Sequence, residues 1–407
     1  LRAVPAIVHA QPMRRAWSVL LLVAACSRRT EVRPDLEAAK RVPAPITWGA
    51  LEIGGGVVVD VAARRLVHTL TAERPRFEAL DERSAYLVGR DGAVQAFDLA
   101  TGSQRWRVKP DHCTAFALTK QEVHCVDDMH VHSLDKSDGK IRKRPGFARV
   151  WAIVGVEDHL LIHRGGEIES FADGATSNVA RTPVFAGMQL HAHGADVCAA
   201  HPVTGGIFAQ CWSKTLVSRW LNTFVVAKPG EPRGEWQPRF VSRFVVASRP
   251  LHMAKGSRRT LVVDLATGDE HARIEAPASA LVVRGADVDG VVELETELRT
   301  YDRAGLLEWT SPALGNSAAT VTLGDRLFVA THHAISSGAK LSAFDRTGKL
   351  LWSTRPSLPP IEHSEYANRV TLSAAHGVLV MRGEESAVTY LSLFDPVTGR
   401  AILEVVK

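Results

Sequence analysis

Gly92-Ala93-Val94-Gln95-Ala96-Phe97-Asp98-Leu99-Ala100-Thr101-Gly102-Ser103-Gln104-Arg105-Trp106 is the clearest copy of a phrase that recurs down this chain of 407 residues. An alternating strand leads into an Asp, a Thr-Gly turn follows, and a second strand ends in Trp. The Asp can accept backbone N–H groups just beyond it, and the Gly permits the positive φ that a tight return needs. Further turn positions fall at Asp135, Asp173, Asp264, Asp302, Asp345 and Asp395, with a degenerate copy at Trp212. The successive gaps are 37, 38, 39, 52, 38, 43 and 50 residues. Gaps near 40 residues, with room for four short strands each, are the signature of propeller blades. Within one unit Cys113–Thr119, Glu122–Asp127, His130–Asp135 and Lys140–Arg144 read as strands, and Ala280–Asp287, Gly290–Glu295, Glu297–Asp302 and Leu306–Trp309 repeat the scheme. No long helical period competes. The expectation is an all-β chain forming an eight-bladed β-propeller of four-stranded blades over residues 74–407, with seven blades as the alternative.

Trp106, Trp220, Trp309 and Trp352 fall seven or eight residues after their turn positions. A large ring repeated at one place in each unit is read as packing between blades. Residues 46–73, with Gly54-Gly55-Gly56 in their midst, read as an extra hairpin or closing strand. The phosphate-loop reading of these glycines fails because no Lys-Ser/Thr and no helix follow.

The N-terminal region carries a different signal. Met13-Arg14-Arg15 precedes the apolar run Ala16–Ala25 and then Cys26. A positive start, about ten apolar residues and a small-residue end describe a secretory signal over 13–26, too short to span a bilayer. Val23-Ala24-Ala25-Cys26 resembles the bacterial lipobox, which makes Cys26 the expected lipidation site. Residues 1–12 read as a stretch ahead of the true start, and 27–45, rich in charge and Pro, as a tether. Acyl chains on Cys26 would anchor the protein at about 0.8 kcal/mol per buried methylene. Ser27, rather than Asp, favours the outer membrane if enteric sorting applies.

The formal net charge is +5, but Arg2, Arg14 and Arg15 lie in the leader, and without them 46 basic residues face 44 acidic ones. A nearly neutral body offers no electrostatic case for nucleic acid. Besides Cys26, the cysteines fall in two local pairs. Cys113 and Cys125 flank one hairpin, and a turn at Thr204-Gly205 would set Cys198 directly opposite Cys211. Export to an oxidising compartment favours disulfides in both pairs, with reduced buried thiols as the alternative.

Val94–Trp106, Leu341-Ser-Ala-Phe-Asp-Arg-Thr-Gly-Lys-Leu-Leu-Trp352, Val263-Asp-Leu-Ala-Thr-Gly268 and Leu393-Phe-Asp-Pro-Val-Thr-Gly399 resemble the repeats of pyrroloquinoline-quinone-type (PQQ-like) propellers. That family implies seven or eight blades. Its dehydrogenases hold PQQ, with calcium, between a Trp and a disulfide of adjacent cysteines, and this sequence has no Cys-Cys dipeptide. Its lipid-anchored, BamB-like members have about this length and no active site, and bind partner proteins in outer-membrane protein assembly.

Other chemistry finds little footing. His130-Val131-His132, with Asp127 and Asp128 nearby, His191-Ala192-His193 and His332-His333 each supply only two imidazoles, where zinc or copper needs three or four ligands. Asp287-Val288-Asp289-Gly290 lacks the rest of a calcium loop and reads as a β-turn. There is no Gly-x-Ser-x-Gly elbow. The sequence therefore predicts no catalytic residue, metal site or cofactor, with a quinoprotein dehydrogenase (PQQ and calcium) or a ligand or metal sensor as the alternative. It reads as a monomeric, exported, lipid-anchored scaffold or binding module of the bacterial envelope, its propeller in the periplasm or at the cell surface. A protein partner is expected, and Trp236, within Pro229–Pro238, is the candidate exposed aromatic for contacting it.

Overall fold

The computed structural model describes residues 31–32 and 46–407, apart from Trp48, 72–74, 111, 128–129, 145–149, 176, 186–187, 229–235, 249–258, 285–286, 295–296, 313–316, 334–337, 358–368 and 386–387. Cys26 and the whole leader lie outside the described residues, as do the side chains of His332 and His333. Among the described residues no helix is long and apolar enough to cross a membrane.

Nine antiparallel sheets follow one another in chain order. Blade 1 holds Leu51–Gly54, Val57–Asp60 and Arg65–Thr69. Blades 2 to 9 span Phe77–Val108, Ala115–Arg144, Val150–Pro183, Gln189–Val225, Gln237–Ile274, Ala280–Ser311, Ser317–Thr354 and Arg369–Val406, each a four-stranded meander. First strands of neighbouring blades touch one another, which places them at the axis, and fourth strands lie outside. Nine apolar clusters seal the nine junctions, one each, including those joining blade 9 to blade 1 and blade 1 to blade 2. The ring is thus closed by burial of facing sheets, at roughly 25 cal/mol per Å² of apolar surface removed from water.

This corrects the expected count of eight blades, and of seven. The missed unit is residues 46–70, which form a blade rather than an accessory hairpin. Asp60 occupies the turn position 38 residues before Asp98, and its Oδ1 accepts the Ala63 N–H at 2.9 Å. Four residues on, Arg64 takes the positive φ (56°) that Gly102 takes (71°) in blade 2. Eight residues on, His68 pairs with Val58 just before a register shift, as Trp106 pairs with Ala96. By this register the strands of blade 1 are the second, third and fourth of a standard unit. Among the described residues nothing pairs with the inner edge of Leu51–Gly54. At the far end of the ring, Glu31–Val32 adds outside blade 9, Glu31 facing Val406.

Three local expectations shift with the register. The degenerate turn of blade 5 centres on Ser213 instead of Trp212: Ser213 Oγ accepts the Val217 N–H at 3.1 Å, and Leu216 supplies the positive φ (61°). Trp212 itself packs in the core between blades 4 and 5. Asp287–Gly290 lies inside the strand Asp287–Leu294, not in a turn, because the Gly290 backbone presses against Tyr301 where a Cβ would collide. The hairpin at Thr204-Gly205 has the expected register, Cys198 opposite Cys211.

Candidate functional site: the polar junction between blades 3 and 4

The repeat builds a recurring junction, and at one of the junctions that lack its ring seal a group of largely buried ionisable residues collects. In the recurring form the Asp ties its own turn: Asp98 Oδ1 accepts the N–H groups of Ala100 and Thr101, both at 2.9 Å. Asp395 does the same for Val397 and Thr398, and Asp264 accepts the Ala266 N–H. The positive-φ glycine of that turn then becomes a seat for the Trp of the preceding blade. Gly139 lies under Trp106, Gly268 under Trp220, Gly348 under Trp309 and Gly399 under Trp352. Trp106 Nε1 donates to Lys136 O at 3.0 Å and Trp220 Nε1 to Leu265 O at 2.9 Å, each acceptor being the residue after the turn position. In blade 1, His68 fills this place: its Nε2 lies 2.7 Å from Leu99 O and its ring covers Gly102.

Blade 3 has no Trp at that point. Arg142 pairs with Ser133 where Trp106 pairs with Ala96. Its guanidinium donates at 2.7 Å to Oε1 of Glu122, which stands in the register position of Ser84. The core position held by Tyr86 in blade 2 is held by His124 in blade 3, and that of Asp81 by Thr119. Blade 4 answers with Asp173-Gly174. Gly174 N donates to Glu122 Oε2 at 3.3 Å, and Gln121 N donates to Asp173 Oδ2 at 2.8 Å. The Thr119 hydroxyl donates to Asp173 Oδ1. With that proton directed at Asp173, Thr119 Oγ1 accepts from His124 Nε2 (3.1 Å), and a neutral His124 of this tautomer accepts at Nδ1 from Ser133 Oγ (2.9 Å).

This network is enclosed. His124 is 0 % exposed and Glu122 3 %, with Thr119 and Ser133 also buried, while Asp173 is half-buried. Burying charge is costly unless it is paired and hydrogen-bonded, and here Glu122 is paired with Arg142 while Asp173 is held by Thr119 and the Gln121 N–H. Glu122, His124 and Asp173 each present a ligand-capable atom, all within 4.8 Å of one another. They form the one such group of three among the described residues.

The residues singled out from sequence are dispersed. Trp236 is 0 % exposed, in the core between blades 5 and 6. The expectation of an exposed aromatic there is corrected: the residue immediately precedes the inner strand Gln237–Val241 of blade 6, and its ring fills that junction. Cys113 is joined to Cys125 and Cys198 to Cys211, with Cα separations of 5.2 and 4.0 Å, and all four are at most 1 % exposed. His130 and His132 converge on Asp127, at 3.2 and 2.8 Å, with ring centroids 6.2 Å apart. His191 stacks on Phe240 at 4.7 Å, and burial lowers its pKa, with His193 adding to the effect. Sequence reading passed over Glu122, His124 and Asp173 as a group because they come from two blades. The available signal was a unit whose outer strand, Ile141-Arg-Lys-Arg144, has cations where the preceding unit has Trp106.

No protein-family profile matches the chain, and no curated protein does. Solved structures do. BamB from Moraxella catarrhalis aligns at 14% identity over 81% of this chain and 95% of its own, with a TM-score of 0.49. A eukaryotic initiation factor aligns at 11% identity over 87% of this chain and 94% of its own, with a TM-score of 0.54. Apo AztD from Citrobacter koseri aligns at 10% identity over 86% and 92%, with a TM-score of 0.45. At such identities the likeness is one of fold, the β-propeller.

The quinone expected of PQQ-type enzymes does not fit these residues. The four cysteines of the propeller pair across hairpins, so no disulfide of adjacent cysteines exists to face the cofactor. The repeat Trp rings are covered by the turn glycines of the next blade.

Proposed function

We propose that this protein is a binding scaffold of the bacterial cell envelope, held to the membrane, with the outer membrane favoured, through lipidated Cys26 and carrying its propeller as a rigid platform for a protein partner. The observation that carries this reading is that the repeat's reactive-looking groups are spent internally. Its Asp side chains hold their own turns, and Trp106 and Trp220 donate to the next blade. What is left for recognition is the rim and the outer strands. Blade 5 presents a long, largely apolar outer edge, Ser218–Val225, where Leu221 is 54% exposed and Val225 63%. Its exposed face carries one charge, Arg219, whereas protected edges usually carry several charges or a Pro. An extended segment of a partner could add to this strand through main-chain hydrogen bonds.

The test is photo-crosslinking in a bacterial host, with the probe placed at Leu221, at Val225, and at Arg105 on blade 2 as control. A discrete adduct with one envelope protein from blade 5, absent from blade 2 and lost when Cys26→Ser releases the protein from membranes, is the expected result. Dye reduction dependent on added quinone and calcium, with no adduct from blade 5, would replace the scaffold by an enzyme.

A further inference from the structure

We propose that the junction between blades 3 and 4 is a binding site for a first-row divalent metal ion of the zinc type, with Glu122, His124 and Asp173 as its ligands. The donor set is one imidazole nitrogen and two carboxylates, which suits such an ion better than the all-oxygen sites of calcium. Three protein ligands with a fourth position left for water or a hydroxyl is the usual plan of a zinc site open to solvent. The Thr119 hydroxyl stands 3.1 Å from His124 Nε2 and donates to Asp173 Oδ1, so it borders two of the three ligands.

Charge points the same way. Glu122 and Asp173 bring two carboxylates from facing blades to one junction, and a divalent ion is the cation that two carboxylate ligands compensate. The carboxylates arrive from different blades. A metal would therefore clip blade 3 to blade 4 at a junction that lacks the Trp-on-Gly seal.

The geometry needs modest closure and one tautomer change. Donors about 2.1 Å from a tetrahedral ion lie about 3.4 Å apart, so atoms now within 4.8 Å must draw in by roughly an ångström. His124 would give its Nε2 lone pair to the metal and carry its proton on Nδ1. Ser133 Oγ, 2.9 Å from Nδ1, then becomes the acceptor. An imidazole ligand held through its second nitrogen by a hydrogen bond is the standard supporting arrangement of metal sites. Asp173 is the most exposed of the three and marks the side of entry.

The experiment uses the full chain without a histidine tag, stripped with chelator and titrated with zinc or with cobalt as a spectroscopic stand-in. One ion per chain, a tetrahedral cobalt absorption band and a rise of about 3 °C or more in the thermal midpoint at hundredfold excess over Kd are expected. Asp173→Asn keeps an oxygen for the Gln121 N–H and should weaken binding at least tenfold. Ser133→Ala, which touches no ligand atom of the ion, should weaken it about tenfold through His124. His130→Gln, at the other imidazole pair of blade 3, should leave it unchanged. Both weakening variants are to be folded, as judged by metal-free urea midpoints near wild type. Absence of a bound ion in wild type, binding indifferent to Asp173→Asn and Ser133→Ala, or binding lost with His130→Gln would each overturn the proposal. None of these results depends on the scaffold reading.

Discussion

At the scale of single residues, the turn Asp and its glycine do separate work. The carboxylates of Asp98 and Asp395 are held below their ordinary range chiefly by backbone N–H donors, Thr101 and Thr398. Hydroxyls do it for Asp135 and Asp345, through Ser137 and Thr347. A carboxyl whose pKa is lower folded than unfolded adds stability that is complete above its unfolded value, near 4, and fades as pH falls through its folded value. Urea midpoints should therefore lose this contribution below about pH 4. An earlier fall, from about pH 7, comes from the half-buried His191, whose pKa is lowered, and Asp98→Asn should shrink the part below about pH 4. The glycine is constrained twice. At Gly139, φ is +74° and an added Cβ would sit 2.8 Å from Cδ2 of Trp106, inside ordinary contact. Gly139→Ala should cost about 1–3 kcal/mol in urea denaturation.

At the scale of elements, the unit of stability is the junction and not the blade. Trp106 is 8 % exposed and belongs to the cluster joining blades 2 and 3. Trp106→Ala should cost about 3–5 kcal/mol, by lost transfer energy and a cavity, read as a lower urea midpoint. Much of this was legible in the sequence. The unit read as Cys113–Thr119, Glu122–Asp127, His130–Asp135 and Lys140–Arg144 folds as Ala115–Leu118, Glu122–Val126, Val131–Asp135 and Ile141–Arg144. Blade 1 escaped because its copy keeps the spacing while changing the marked letters: Arg64 stands for the Gly and His68 for the Trp. An imidazole can donate to a carbonyl and cover a glycine as an indole does, so the function of the position survives a change of residue type. Trp236 was misplaced because a Pro- and Gly-rich context says that a loop is present, not which side chain of it is buried. The polar junction was illegible for a third reason. Its ligands lie up to 51 residues apart, and only the docking of two blades brings them together.

At the scale of the molecule, ring closure joins the two ends of the propeller. Blade 1 packs on blade 9 through Val57, Val59, Val378, Val380, Leu391 and Leu393. The Arg382 guanidinium pairs with Glu52, and Lys407 Nζ donates to Leu70 O at 2.6 Å. A closed ring of nine junctions, with its reactive-looking repeat groups turned inward, is a stiff platform, which is the property a tethered scaffold requires. The central claim is that residues 46–70 are a blade seated between blades 9 and 2. The direct measurement is a short bismaleimide crosslink in the Glu52→Cys, Arg382→Cys double variant, read by peptide mass spectrometry after digestion. The ring predicts an intramolecular link between peptides 330 residues apart, absent from either single variant. A folded double variant that reacts at both positions without linking them would show that this segment lies outside the ring.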